Sequence, residues 1–223
     1  MSRPVIHKNM TVHQCRQCGT CCLRGGPVLH RQDMDIIRNG HVGHQHLITL
    51  RKGERVMNPA VNKLEKLCTE MIRLRGKGQE WTCFFYNEHN SSCGIYKTRF
   101  LECRLLKCWA PAELIAIIGK DTIVRKDIMN PGDPVIELIE EHERECPGEE
   151  VEDLILKASR GVDTGKYFIR LGELVMKDEA IRTTAISEMG LKKEYELFIF
   201  GRPVAGILRS RGFSVRSPET RGK

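Results

Sequence analysis

The 223-residue chain is 40% hydrophobic, enough apolar material for a packed core, and this excludes a largely disordered polypeptide. Its formal charge of +7 (36 basic minus 29 acidic residues) is concentrated late, with six basic residues between Arg202 and Lys223 against Glu219; no aromatic stacking platform accompanies them, so a nucleic-acid partner is not expected. The polar start Met1-Ser2-Arg3-Pro4 and a longest apolar run of only Leu114 to Ile118 predict a cytoplasmic protein with neither an export signal nor a membrane span.

Residues 1 to 14 read as a lead-in to a cysteine knot, Cys15 to Cys22, that runs into the irregular loop Leu23-Arg24-Gly25-Gly26-Pro27. A short helix follows, with Asp33 as its cap, Met34, Ile36 and Ile37 as its apolar side chains and Asn39-Gly40 as its stop. Met71, Ile72 and Leu74 predict a strand before Gly76, with a helix through Leu64, Leu67 and Met71 as the competing pattern. The aromatic runs around Trp81 to Tyr86 and Cys93 to Tyr96 flank a turn-prone Asn87 to Ser92 and predict a hairpin with Cys83 and Cys93 on its two arms.

After Trp109-Ala110-Pro111 the pattern turns helical, and Asn130-Pro131-Gly132-Asp133-Pro134 breaks the chain. Asp133 as cap and Pro134 as first helical residue open a helix with the inward stripe Val135, Leu138, Ile139 and His142, ending near Cys146-Pro147. Further helices fit Val151 to Ser159, Leu171 to Met189, Glu194 to Phe200 and Val204 to Arg211. The expected architecture is α+β and mainly helical: a small metal-stapled, cysteine-rich region with a β-hairpin, followed by a helical C-terminal part. The expected divisions are residues 1–130, a cysteine-cluster domain; 131–213, a helical region; and 214–223, a basic tail.

Eight of the ten cysteines fall in two short zones, and only Cys68 and Cys146 lie outside them. In a reducing compartment such clustering points to metal or redox chemistry rather than to a disulfide framework. Cys15, Cys18, Cys21 and Cys22 form C-x2-C-x2-C-C, in which two intervening residues let a tight turn aim sulfurs at one centre while backbone N–H groups stabilise the thiolates. The repeated spacing is that of ferredoxin loops around a cubane, without the final x3-C-P step. Adjacent cysteines are unusual because neighbouring side chains diverge, which leaves Cys22 for a second centre or as a spare. Cys83, Cys93, Cys103 and Cys108 add C-x9-C-x9-C-x4-C. Eight sulfurs suit two four-coordinate centres, or one centre with accessory thiols. Either zinc or a 4Fe-4S core with four thiolates carries about −2, which offsets part of the positive chain.

The C-x2-C-x2-C-C segment, with Cys83-Phe84-Phe85-Tyr86, Cys93-Gly94-Ile95-Tyr96-Lys97-Thr98-Arg99 and Cys103-Arg104, resembles the YkgJ-type cysteine-cluster family of zinc- or iron-chelating domains over about residues 13–109. The resemblance implies metal binding by Cys15, Cys18, Cys21, Cys22, Cys83, Cys93 and Cys103; Cys108, in Leu106-Lys107-Cys108-Trp109, resembles a feature of a subset. Phe100 stands where the family commonly has proline after arginine. A larger relative, the flagellin lysine methylase, shares such a cluster, and that resemblance implies iron-sulfur rather than zinc.

Other candidates read as structural. His41, His44 and His46 are expected to be exposed loop histidines, and Cys146 and Cys68 to be buried thiols. Glu137, Glu140, Glu141 and Glu145 read as a solvated face, because no glutamate has a histidine three residues after it, as a di-iron bundle requires. No P-loop, G-x-G-x-x-G or G-x-S-x-G is present. Three functions follow: an iron-sulfur protein that carries electrons or assists protein modification, with a redox or other protein partner; a structural-zinc interaction module; and a methyltransferase-like modifying enzyme, by analogy alone.

Overall fold

A computed structural model of the chain describes residues 17–77, 81–161 and 164–215. Cys15 and the basic tail beyond residue 215 lie outside the described residues. In chain order, α1 (Thr20–Leu23) and α2 (Met34–Arg38) precede four strands, β1 (Leu47–Leu50), β2 (Arg55–Asn58), β3 (Lys63–Lys66) and β4 (Met71–Leu74). The cysteine-bearing second zone contributes β5 (Tyr86–Asn87), β6 (Ser92–Cys93) and α3 (Leu101–Leu105). The short α4 (Ala112–Ile115) and α5 (Arg125–Ile128) lead to α6 (Val135–Glu145), α7 (Gly148–Ser159), α8 (Gly165–Ser187), α9 (Glu196–Phe200) and α10 (Val204–Ser210). This is a mainly helical α+β fold with small antiparallel sheets and a helical C-terminal part.

β1 pairs antiparallel with β4, Leu47 opposite Leu74 and Leu50 opposite Met71, which establishes the strand reading of Met71 to Leu74. β2 and β3 form a hairpin between them, and β5 and β6 form the small hairpin of the second zone. All of β1 is buried, which suits its apolar run Leu-Ile-Thr-Leu; Thr49 is accommodated because its hydroxyl donates to the Phe198 carbonyl of α9. The segment following the cysteine knot lies along the other edge of β4, with Leu29 N–H donating to Ile72 O (2.8 Å) and Leu74 N–H to Pro27 O (3.0 Å).

Two apolar cores result. One gathers Leu29, Leu47, Ile72, Leu74, Phe100 and Ile123 with Leu138, Ile139, Phe198 and Phe200, so α9 packs directly against β1 and α6 packs on α9 in the same core. The other joins α7, α8 and α10 through Val151, Ile155, Leu171, Leu174, Val204 and Ile207. As the stripe of α6 predicted, Leu138, Ile139 and His142 are buried. Asp133 caps α6, its carboxylate accepting from Val135 N–H at 3.0 Å. Cys146 is fully buried, and its thiol donates to the Leu174 carbonyl at 3.7 Å.

Several local expectations are corrected. Cys68 is exposed, because its neighbour Leu67 takes the buried place and bonds Glu54 O and Gly53 N–H through its backbone. His41 is exposed, but His44 is half-buried and stacks on Phe198 at 4.5 Å, and His46 lies 4.8 and 5.0 Å from the rings of Phe84 and Phe85. Asp33 takes the N-cap position of α2 as expected, but its carboxylate makes no bond to that helix and serves His30 and Leu101 instead.

Candidate metal centre

α1 begins at Gly19, whose φ of +74° is left-handed and favours glycine. Gly19 also sits against the Tyr86 ring: a Cβ there would lie 1.8 Å from the phenol oxygen. One turn later Cys22 O accepts from Cys83 N–H at 2.8 Å, and the chain passes over β4 at Gly26, where a Cβ would lie 2.4 Å from that of Leu74. The first cysteine knot is thereby docked on the second zone by one backbone bond and the close approach of Gly19, and the loop after it on β4 by the close approach of Gly26.

The second zone is held from its own side. Cys83 faces Gly76 in an antiparallel bridge, and Cys93 pairs with Tyr86 across the hairpin. The predicted hairpin is present with shorter arms, and Cys83 lies before its first strand. Cys103 rides on α3, which two carboxylates position. Asp33 Oδ1 accepts from Leu101 N–H (2.7 Å) at the N-terminus of α3, where a negative group is favoured, and Oδ2 accepts from His30 N–H (3.0 Å). Glu102 accepts from Val28 N–H (2.9 Å) and faces His30 Nε2 at 3.4 Å, while His30 Nδ1 lies 2.8 Å from the Lys120 carbonyl. Burial works against a charged His30, but Glu102 and the Lys120 carbonyl outweigh it and raise its pKa. Sequence reasoning missed His30 and Glu102 and read Asp33 only as the cap of α2; the one local signal was Glu102 beside Cys103.

The thiols of both zones act on one another. The sulfurs of Cys21 and Cys22 stand 4.0 Å apart, close to the roughly 3.8 Å that tetrahedral geometry gives two sulfurs at about 2.3 Å from one ion, so adjacency does not force these side chains apart. Cys21 falls to about 6, chiefly through its bond with Cys22, with Arg99 adding positive charge, whereas Cys22 is pushed far up by the same bond, by burial and by Cys21, Cys83 and Cys103. Burial raises Cys83, and burial with Cys83, Cys93 and Cys21 raises Cys103 strongly. Exposed Cys18 is lowered by the Thr20 hydroxyl and backbone N–H, the stabilisation expected of a C-x2-C turn. Cys108 is exposed in the turn after α3 and is not among the groups that chiefly shift these thiols.

This donor set fits a thiolate-bound metal. The groups brought together are sulfurs, and mutual repulsion among so many prospective anions is relieved by a cation of high charge. Among the described residues, no three Cys, His, Asp or Glu side chains stand at the spacing of ligands to a single ion.

A family model named CxxCxxCC and described as a "putative zinc- or iron-chelating domain" matches residues 14–127. The chain belongs to that family. No curated protein and no solved structure matches it. The match covers both cysteine zones and reaches into α5, so the CxxCxxCC domain includes β4 and the carboxylate supports of α3 as well as the thiols. Its family assigns this half of the chain to metal binding of the zinc- or iron-chelating kind. Among the described residues no helix is long and apolar enough to cross a membrane.

Proposed function

We propose that this CxxCxxCC protein holds an iron-sulfur cluster of the 4Fe-4S kind and acts in electron transfer or as an accessory factor in protein modification, with Cys15, Cys18, Cys21, Cys22, Cys83, Cys93, Cys103 and Cys108 as the pool of ligands. The observation that carries this reading is the docking of Cys22 on Cys83 by a 2.8 Å backbone bond, which joins thiols some sixty residues apart in one electrostatic neighbourhood. Sulfur-only donors suit iron-sulfur ligation. When bound, such a cluster supplies one-electron chemistry. The exposed edge formed by Cys18 and Cys21 brings that chemistry to the surface, within reach of a protein partner.

Purification without oxygen followed by metal and sulfide analysis tests this directly. Brown protein with iron and acid-labile sulfide is expected. Colourless protein with stoichiometric zinc would replace the proposal by the structural-zinc interaction module.

A further inference from the structure

The surface around the cysteine zones carries positive charge that the fold does not neutralise. Residues 17–27 and 71–109 hold eight basic residues against Glu80, Glu88 and Glu102. Glu102 is turned inwards, to Val28 N–H and His30. Among the described residues Arg104 meets Asp33 and Lys107 meets Glu113, but the other six bases form no ion pair, and three of them, Arg24, Lys77 and Lys97, are exposed.

Three large apolar side chains are exposed in the same segments: Leu23 (46%), Trp81 (46%) and Tyr96 (39%). The contacts between the two zones join them into one continuous surface. Leu23 and Arg24 close the turn that carries Cys21 and Cys22, and the Trp81 carbonyl lies 3.3 Å from where a Cβ on Gly25 would sit. Tyr86 organises the other flank: Gly19 rests on its ring, Lys77 Nζ donates to its carbonyl, and Cys93, three residues before Tyr96, pairs with it across the hairpin. Cys18 and Cys21 are exposed on the segment that bridges these flanks.

Resting on the metal-centre reading above, we propose that this face docks a protein partner of acidic surface, seating it over the edge formed by Cys18 and Cys21. Unpaired surface cations steer an oppositely charged partner and fix its orientation, while exposed aromatic and aliphatic anchors supply the contact that is desolvated. A nucleic acid fits the face less well. Arg99 lies over the Tyr96 ring at 3.8 Å, and Arg73 and Arg202 approach the Trp81 ring at 5.3 and 5.9 Å, so guanidinium groups take positions that bases would need for stacking. A guanidinium held in this way presents its N–H fork to carboxylates.

The test measures binding of two dye-labelled peptides of equal length, poly-glutamate and alternating glutamate-leucine, by fluorescence anisotropy, with metal content determined on the same samples. Wild-type protein should bind both at low salt and prefer the glutamate-leucine peptide, which alone can fill the apolar anchors. Arg24→Glu combined with Lys97→Glu should weaken both by at least about tenfold. Trp81→Ala should abolish the preference, and Lys157→Glu combined with Arg160→Glu, at exposed positions ending α7, should change neither affinity. Equal weakening by that control pair, or a preference that survives Trp81→Ala, would overturn the docking face while leaving the centre intact. Tighter binding of oligothymidylate or of phosphatidylglycerol vesicles than of either peptide would assign the face to a nucleic acid or a membrane and overturn it as well. Wild-type protein that binds neither iron nor zinc would remove the centre, and with it the reason for a partner at this face.

Discussion

The helical end of the molecule and the cysteine-bearing end neutralise their buried polar groups in opposite ways. Around α8, Asp178 accepts from His142 Nε2 (2.7 Å), Arg182 Nε (2.9 Å) and Val204 N–H (2.9 Å), and Arg182 reaches on to Glu196 and to the Phe200 and Gly201 carbonyls. Every charge in that set has a protein partner of opposite sign. Around the cysteines, by contrast, thiols face thiols: Cys21 stands 4.0 Å from Cys22, and Cys83 and Cys103 act on Cys22 in turn. The helical end can complete itself by folding. The cysteine-bearing end is arranged for something that the chain must bind.

Removing the hub of the self-completed end should have the largest effect. Asp178→Ala would leave Arg182 and His142 without their shared acceptor in a fully buried site, a loss of about 3–5 kcal/mol by denaturant unfolding of the metal-free protein. A smaller loss would show that the network is less tightly closed than its distances suggest.

Gly19→Ala strikes the other end. It combines a left-handed backbone with an overlap on Tyr86 and should cost about 1–3 kcal/mol, with reduced metal content. Metal analysis of the purified variant checks it; normal content would mean that the knot does not need its seat on the hairpin.

Acid should separate the two ends by a smaller margin. Burial, with Arg51 and Arg182, holds the His142 pKa below its ordinary value despite Asp178, and burial lowers His44 and His46 as well. A histidine with a depressed folded pKa adds nothing above about pH 6.5, where both states are neutral; below that the unfolded chain takes up the proton first, and stability falls. The fall stops deepening once the folded pKa is passed. His30, raised by Glu102, contributes with the opposite sign. Unfolding of metal-free protein at pH 7.5 and 5.5 should therefore show lower stability in acid, and His142→Gln should shrink the difference.

The smallest effect belongs to Cys68, the exposed cysteine outside the two zones. Cys68→Ser, at an exposed position, should change stability by less than about 0.5 kcal/mol and keep full metal content, whereas Cys18→Ser should lose metal. The reverse pattern would overturn the proposed ligand pool.

Much of this organisation was legible in the sequence because it is local. The stripe Leu138, Ile139, His142 announced α6, Asp133-Pro134 announced its start, and the C-x2-C spacing announced the knot. What stayed hidden depends on residues far apart in the chain. The bond of Asp33 to Leu101 spans 68 positions, and the approach of His30 to Glu102 spans 72. Neither leaves a periodic trace. Cys68 was misjudged for a related reason: just past the end of β3 the backbone of Leu67 pairs with Gly53 and Glu54 across the ribbon, and Leu67 takes the buried place. The pairing of β1 with β4 was likewise invisible, because the chain inserts a whole hairpin between the partners.

That inserted hairpin has a practical consequence. At its end, residues 59–62 are exposed and turn through Asn62 at φ +51°, and the bonds near the tip, Asn58 to Glu65 and Ala60 to Asn58, are internal to the ribbon. An affinity epitope or a surface-attachment tether spliced between Ala60 and Val61 would ride on this excursion, so the protein could be immobilised on an electrode without altering either cysteine zone.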